Sequence, residues 1–208
     1  MEGRSTRPAS AGRFNRRGFL KVAAGAALGA GAYFLLESGK ARASPDLIRP
    51  PGALLEAAFL AACLRCGKCV QACPYHAIEL ATAREGLALG TPYLHRHRAQ
   101  PCRLCPRQHC IAACPSGALA PLADISQARM ALAVRDESRC LAYQGQYCLI
   151  CLGACPLTRV AMVQDRQLRP VVVKDKCPGC GVCEYSCVLD PPAIVVKTKK
   201  EAERVEHR

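Results

Sequence analysis

Sixteen cysteines stand in four sets of four along the chain, and none is left over. The first set is Cys63, Cys66, Cys69 and Cys73, followed by Pro74. The second is Cys102, Cys105, Cys110 and Cys114, followed by Pro115. The third is Cys140, Cys148, Cys151 and Cys155, followed by Pro156. The fourth is Cys177, Cys180, Cys183 and Cys187, where Val188 replaces the proline. Thiolates at every third position of a tight loop reach three irons of a cubane in turn. The fourth cysteine starts a helical turn, points away and serves a neighbouring cluster. Gly67, Gly179 and Gly181 inside the loops let backbone amides approach the cluster sulfides and stabilise their charge. The chemistry this pattern supports is one-electron transfer through four [4Fe–4S] clusters, with all sixteen cysteines as ligands. Disulfide frameworks do not repeat C-x2-C with C-x3-C-P. Zinc takes two C-x2-C halves, whereas each set here is a complete quartet.

Sets one and four have identical spacing, and sets two and three are the irregular pair. A nested arrangement follows from that likeness. It places Cys63, Cys66 and Cys69 with Cys187, and Cys177, Cys180 and Cys183 with Cys73. Inside them, Cys102, Cys105 and Cys110 take Cys155, and Cys140, Cys148 and Cys151 take Cys114. Sequential pairing, one with two and three with four, is the alternative. Nothing else in the chain reads as catalytic. No histidine pairing, G-x-G-x-x-G or P-loop occurs. The run His95-Arg96-His97-Arg98 reads as a polar, partly exposed strand or loop. Arg65, Lys68, Arg103 and Arg107, within the cysteine loops, read as solvated charge.

Short elements must position these ligands. A helix is expected over 53–62, with Leu54, Leu55, Ala58, Phe59 and Ala62 on one face. After each fourth cysteine a short turn leads into a strand, over 74–80, 115–120, 156–163 and 191–196. Strands over 129–134 and 170–174 precede sets three and four. The fold class is α+β: tandem bacterial ferredoxin-like modules of short strands and helices around the clusters. Each unit has too few apolar side chains for a core of its own, so the clusters serve as core. With nesting, the domain at 44–197 divides into an outer module, about 53–90 plus 168–197, and an inner module, about 91–167. Residues 198–208 read as a charged, solvated tail, partly helical.

Residues 1–43 differ from the rest. A basic stretch ends in Asn15-Arg16-Arg17-Gly18-Phe19-Leu20-Lys21, an uncharged Ala/Gly run covers 22–36, and Ala41-Arg42-Ala43 follows. This is the layout of an export signal, and its core resembles the twin-arginine type. The 15 uncharged residues fall short of the roughly 20 that span a bilayer. The 208-residue chain has 29 Lys and Arg against 16 Asp and Glu, a formal +13. Eight of those basic and two of those acidic residues lie in 1–43, so export leaves +7. Sixteen thiolates around four oxidised clusters bring the loaded protein near −1. The positive balance is therefore no sign of nucleic acid binding.

Six stretches carry a resemblance over the whole chain. They are Arg49-Pro-Pro-Gly-Ala, Cys66-Gly-Lys-Cys-Val-Gln-Ala-Cys-Pro-Tyr, Gly90-Thr-Pro-Tyr, Cys114-Pro-Ser-Gly-Ala-Leu, Ala128-Arg-Met-Ala-Leu-Ala-Val and Cys180-Gly-Val-Cys-Glu. The chain resembles the NapG/MauM family of ferredoxin-type proteins, and the NapG type more closely. The resemblance implies a periplasmic electron carrier exported by the twin-arginine machinery. It also implies a membrane-bound quinol-oxidising partner of the NapH type. Electrons would pass from quinol through four clusters to periplasmic nitrate reductase, directly or through haem carriers. The sixteen cysteines match the family's cluster ligands one by one. A MauM-type role in methylamine dehydrogenase maturation is the alternative within the family. Electron-transfer subunits of molybdenum oxidoreductases, which carry four clusters in nested order, are the alternative outside it.

Overall fold

The computed structural model describes residues 46–95 and 97–206. The export segment read at 1–43 lies outside them. Between the first and last cysteines only short elements form: helical segments of three to six residues and strands of three or four. Helix α1 (Glu56–Ala62) precedes the first set, and α2 (Lys68–Gln71) lies within it. Strands β1 (Ile78–Leu80) and β2 (Pro92–Leu94) follow, then α3 (His109–Ala112) in the second set. The rest of the chain gives β3 (Leu132–Arg135), α4 (Ile150–Ala154), β4 (Met162–Gln164) and β5 (Pro170–Val172). It ends with α5 (Val182–Ser186), β6 (Ile194–Lys197) and α6 (Lys199–Glu206).

The two halves repeat one plan. In the first, β1 and β2 form an antiparallel hairpin, with Ile78 opposite Leu94. The segment before set one bridges the segment after set two, Ala53 to Leu119. In the second, β4 and β5 form the hairpin, with Met162 opposite Val172. There β3, before set three, pairs with β6, after set four, Leu132 opposite Lys197 and Arg135 opposite Ile194. Helix α2 packs on α3, and α4 packs on α5.

The modules are thus consecutive, about 46–125 and 129–198, and the expected division into outer and inner modules is corrected. Identical spacing did not identify partners. Each hairpin turns the chain back after an odd-numbered set, so the next set is delivered against the one before it.

Helix α1 starts three residues later than expected. The Leu54 amide donates to the Ala118 carbonyl at 3.1 Å, and the Gly52 carbonyl accepts from Ala120 at 2.6 Å. The backbone at 52–54 is thereby spent on a strand-like contact. Leu54 and Leu55 remain exposed and only Phe59 of the helix is buried. Arg49 locks this corner. Its guanidinium donates to both Glu56 carboxylate oxygens, at 2.9 and 2.5 Å, to Thr91 Oγ1 and to the Pro92 carbonyl, and it lies over the Phe59 ring.

The C-terminal tail is docked as well as charged. Thr198 and Glu201 cap α6 reciprocally, with the Thr198 amide donating to Glu201 and the Glu201 amide to Thr198 Oγ1. Ala202 is buried, and α6 packs on β3 and β6. The first module's core holds Ile48, Phe59, Ile78, Leu94, Ile111 and Leu119. The second relies more on sulfur: Ala133, Met162 and Ile194 are buried with Cys151, Cys177 and Cys183. Among the described residues no helix is long and apolar enough to cross a membrane.

Candidate metal centres

The thiols gather at four places, each with three cysteines from one set and the fourth from its sequential partner. Cys63, Cys66 and Cys69 share a cavity with Cys114, walled by Phe59 and Leu119. Cys102, Cys105 and Cys110 share the next with Cys73, beside Ile78. Cys140, Cys148 and Cys151 share a third with Cys187, beside Arg135. The thiols of Cys177, Cys180 and Cys183 stand close enough to Cys155 for their charges to act on one another. All sixteen predicted ligands are therefore brought together in fours. The nested partners are corrected: Cys114 replaces Cys187, Cys73 replaces Cys155, Cys187 replaces Cys114 and Cys155 replaces Cys73.

The first three cavities enclose about 330, 400 and 370 Å³ of empty space, mouths included. Among the described residues no three His, Cys, Asp or Glu side chains converge closely enough to hold one ion. Three of the quartets line an open space, which suits a multi-iron cluster.

The loops have a common shape. The residue before the second cysteine is left-handed in sets one, two and four: Arg65 (φ 53°), Leu104 (φ 50°) and Gly179 (φ 70°). So is the residue that caps the following helix: Gly67 (φ 72°), Gln108 (φ 47°) and Gly181 (φ 87°). Left-handed residues set among right-handed ones turn successive N–H groups inward, a concavity that holds anions. The two extra residues of set two are absorbed before Gln108. Its side chain is tied to Leu122, donating to the carbonyl at 3.0 Å and accepting from the amide at 3.3 Å. Set three has a different loop, with Gly145 (φ 83°) inside its longer gap.

The electrostatics fit a cationic guest. Burial pushes the Cys102, Cys110 and Cys180 thiols up to about 12 and Cys69 up to about 11. Cys183 is driven well above the ordinary thiol value for the same reason. Neighbouring thiols add to each rise. Such groups ionise only beside positive charge, which iron ions supply. Cys114 goes the other way. Burial raises its thiol, but the Leu119 amide and the Ser116 hydroxyl outweigh it and hold it below the ordinary value.

Two residues, His97 and Arg98, close the junction between the modules. His97 is only 6 % exposed, and its Nε2 is buried without a hydrogen-bond partner. Burial, then the charge of His95, lowers its pKa to about 4, so the ring is neutral. Within the run expected to be partly exposed, His95 and Arg98 are exposed and His97 is buried. A Cβ added at Gly181 would lie 2.5 Å from His97 Cδ2, so the glycine makes room for the ring. Arg98 donates to the carbonyls of Glu184, Cys187 and Leu189, at 3.0, 2.6 and 3.0 Å, and closes the end of α5. The one sequence signal for both was a basic run with no carboxylate beside it. Arg103 and Arg107 are exposed, as read; Arg103 lies 4.9 Å from the Tyr185 ring centre.

The quartets form a row. Cys69 and Cys110 lie in one core cluster. The Cys102 amide donates to the Cys180 carbonyl at 3.0 Å across the module junction. The Cys183 thiol feels the charge of Cys151. The order is set one, set two, set four, set three.

Residues 62–118 match a 4Fe-4S dicluster domain. That span covers sets one and two together, in agreement with their pairing in space. The chain is 43% identical over 205 residues to the ferredoxin-type protein NapG of Escherichia coli (strain K12), covering 93% of this chain and 88% of that protein. It is 45% identical over 169 residues to the methylamine utilization ferredoxin-type protein MauM of Methylophilus methylotrophus, covering 77% of this chain and 74% of that protein. A more distant likeness, 27% over 152 residues, is to the ferredoxin-type protein NapF of Escherichia coli (strain K12).

Proposed function

The chain belongs to the family of the NapG and MauM ferredoxin-type proteins, and from that premise we propose that it carries electrons through four [4Fe–4S] clusters. It is an iron–sulfur electron-transfer protein; the number of clusters and their ligands are our reading. One observation carries it: sixteen thiols stand as four separate quartets in an unbroken row. Such clusters supply one-electron chemistry at potentials tuned by hydrogen bonds, charge and solvent access. The residues' part is to hold the centres in sequence. Cys63, Cys66, Cys69 and Cys114 hold one end of the row. Cys73, Cys102, Cys105 and Cys110 come next. Cys155, Cys177, Cys180 and Cys183 follow, and Cys140, Cys148, Cys151 and Cys187 hold the other end.

The finer reading follows the NapG resemblance, whose match runs over more of the chain than the MauM match. The protein works in the periplasm, exported through the twin-arginine signal around Arg16 and Arg17. It accepts electrons from a membrane-bound quinol-oxidising partner of the NapH type and passes them towards periplasmic nitrate reductase or its haem carriers. The MauM-type role remains the second reading, on a 45% identity. Sequential pairing removes the feature on which the molybdenum-subunit alternative rested. Deleting the gene tests the pathway. Slower quinol-linked nitrate reduction supports the first reading, and a growth defect on methylamine with normal nitrate reduction supports the second. Replacing Arg16 and Arg17 by lysine tests export: normal periplasmic levels of the variant would sink the location.

A further inference from the structure

Arg135 ends β3 and lines the cavity of Cys140, Cys148, Cys151 and Cys187. Its Nη1 is committed: it donates to the Pro170 carbonyl and to Tyr143 Oη. Nε and Nη2, on the opposite edge, are buried with no hydrogen-bond partner. No carboxylate among the described residues pairs with the guanidinium. A buried charge with no counter-charge is costly, and a planar edge with two N–H donors suits two acceptors of one anionic group. Burial raises the Cys151 thiol, and the Arg135 charge beside it works against that rise.

Basic residues at two of the other cavities are placed differently. Arg65 is exposed, and its Nε and Nη2 are committed to the Leu89 and Leu87 carbonyls. Arg103 is exposed and lies over the Tyr185 ring. Solvent and salt screen both.

The geometry assigns Arg135 as the residue that sets the reduction potential of the centre held by Cys140, Cys148, Cys151 and Cys187. It does so by donating Nε–H and Nη2–H to sulfur and by its permanent positive charge. The assignment rests on the four-cluster reading above. One-electron reduction takes the quartet with its core from a net −2 to −3. The electron comes from the neighbouring centre, no bond forms or breaks, and no proton is needed. Arg135 faces the added charge, so this centre holds an electron more firmly than the centres beside Arg65 and Arg103. Because it stands at the far end of the row from those two, a reducing equivalent that enters beside them is drawn towards it.

The test uses the full chain purified anaerobically, with iron counted and each centre followed by EPR through a redox titration. Disappearance in Cys148→Ser identifies the relevant signal. Arg135→Gln keeps the reach of the side chain and removes its charge; Arg135→Lys keeps the charge. In Arg135→Gln that signal alone moves to lower potential, by about tenfold or more in its reduction equilibrium, about 59 mV for one electron. In Arg135→Lys it moves less. Unchanged potentials at unchanged iron content in Arg135→Gln overturn the assignment. Loss of that centre's iron in both variants also overturns it, because the residue is then a strut and not a tuner. Negligible iron in the unaltered chain is a different result and fails the four-cluster reading instead.

Discussion

Cys114 decides between the two pairing schemes. It sits with Cys63, Cys66 and Cys69 at one end of the row, whereas nesting would seat it with Cys140, Cys148 and Cys151. Cys114→Ser and Cys66→Ser are therefore expected to abolish or alter the same EPR signal, and Cys148→Ser a different one. Matching signals for Cys114→Ser and Cys148→Ser would restore the nested scheme. His97 gives a prediction in pH. Its folded pKa of about 4 lies below the ordinary 6.5 because burial penalises the charged ring. The unfolded chain thus binds the proton first. The stability that depends on a neutral ring is complete above pH 6.5 and is lost as the pH falls through about 4. The loss amounts to about 3 kcal/mol at most. The unfolding free energy measured at several pH values should fall less steeply between these limits, as the pH is lowered, in His97→Phe than in the unaltered chain. An equal slope would mean that His97 does not stay neutral.

Two close backbone contacts hold the elements in their sequential arrangement, one per module. Gly179 (φ +70°) lies so near β3 that an added Cβ would meet the Ala131 carbonyl carbon at 2.3 Å. Gly52 (φ +77°) stands likewise against the Ala120 oxygen, at 2.3 Å. Backbone cannot swing aside as a side chain can, so either alanine substitution combines left-handed strain with a clash. We expect Gly179→Ala and Gly52→Ala each to cost more than about 2 kcal/mol in chemical or thermal unfolding. Gly145 (φ +83°) is the control, since nothing lies within 4 Å of its Cβ position. Gly145→Ala should cost only the left-handed penalty, about 1–2 kcal/mol. Equal costs at all three would remove the packing role. These contacts also mark the limit of the sequence reading. The turn-and-strand units after sets one, three and four were legible as β1, β4 and β6, because short apolar runs follow each turn. Which strand meets which was not, because cysteine spacing describes one loop and pairing is decided by the hairpins between loops. The docking of α6 was missed for a related reason. Its burial rests on one small residue, Ala202, in a run otherwise charged except for the exposed Val205.

At the scale of the whole molecule the two modules lean on their metal unequally. The first has six large apolar side chains in its core and the Arg49 corner, where a buried guanidinium meets Glu56, Thr91, Pro92 and Phe59. Glu56 is partly exposed, which lowers the cost of losing this pair below that of a fully buried one, but the buried guanidinium also gives up its Thr91 and Pro92 bonds. Arg49→Met should therefore unfold the first module earlier and weaken the adjoining centre, whose cavity Phe59 and Pro92 help to wall. In the second module half of the buried core cluster is cysteine. Deprived of iron, those sulfurs become isolated thiols around an empty space, and little else is left to bury. Removing iron from the full chain with a chelator and an oxidant should thus melt residues 129–198 before 46–125. Limited proteolysis followed by mass spectrometry reads this directly, with early cuts expected after Arg139, Arg159, Arg166 and Lys176 while the stretch around Arg65 and Arg84 stays protected. Simultaneous cutting of both modules would show that the junction through Cys102, Cys180, His97 and Arg98 makes them a single cooperative unit. Early cutting of the first module alone would contradict the assignment of its core.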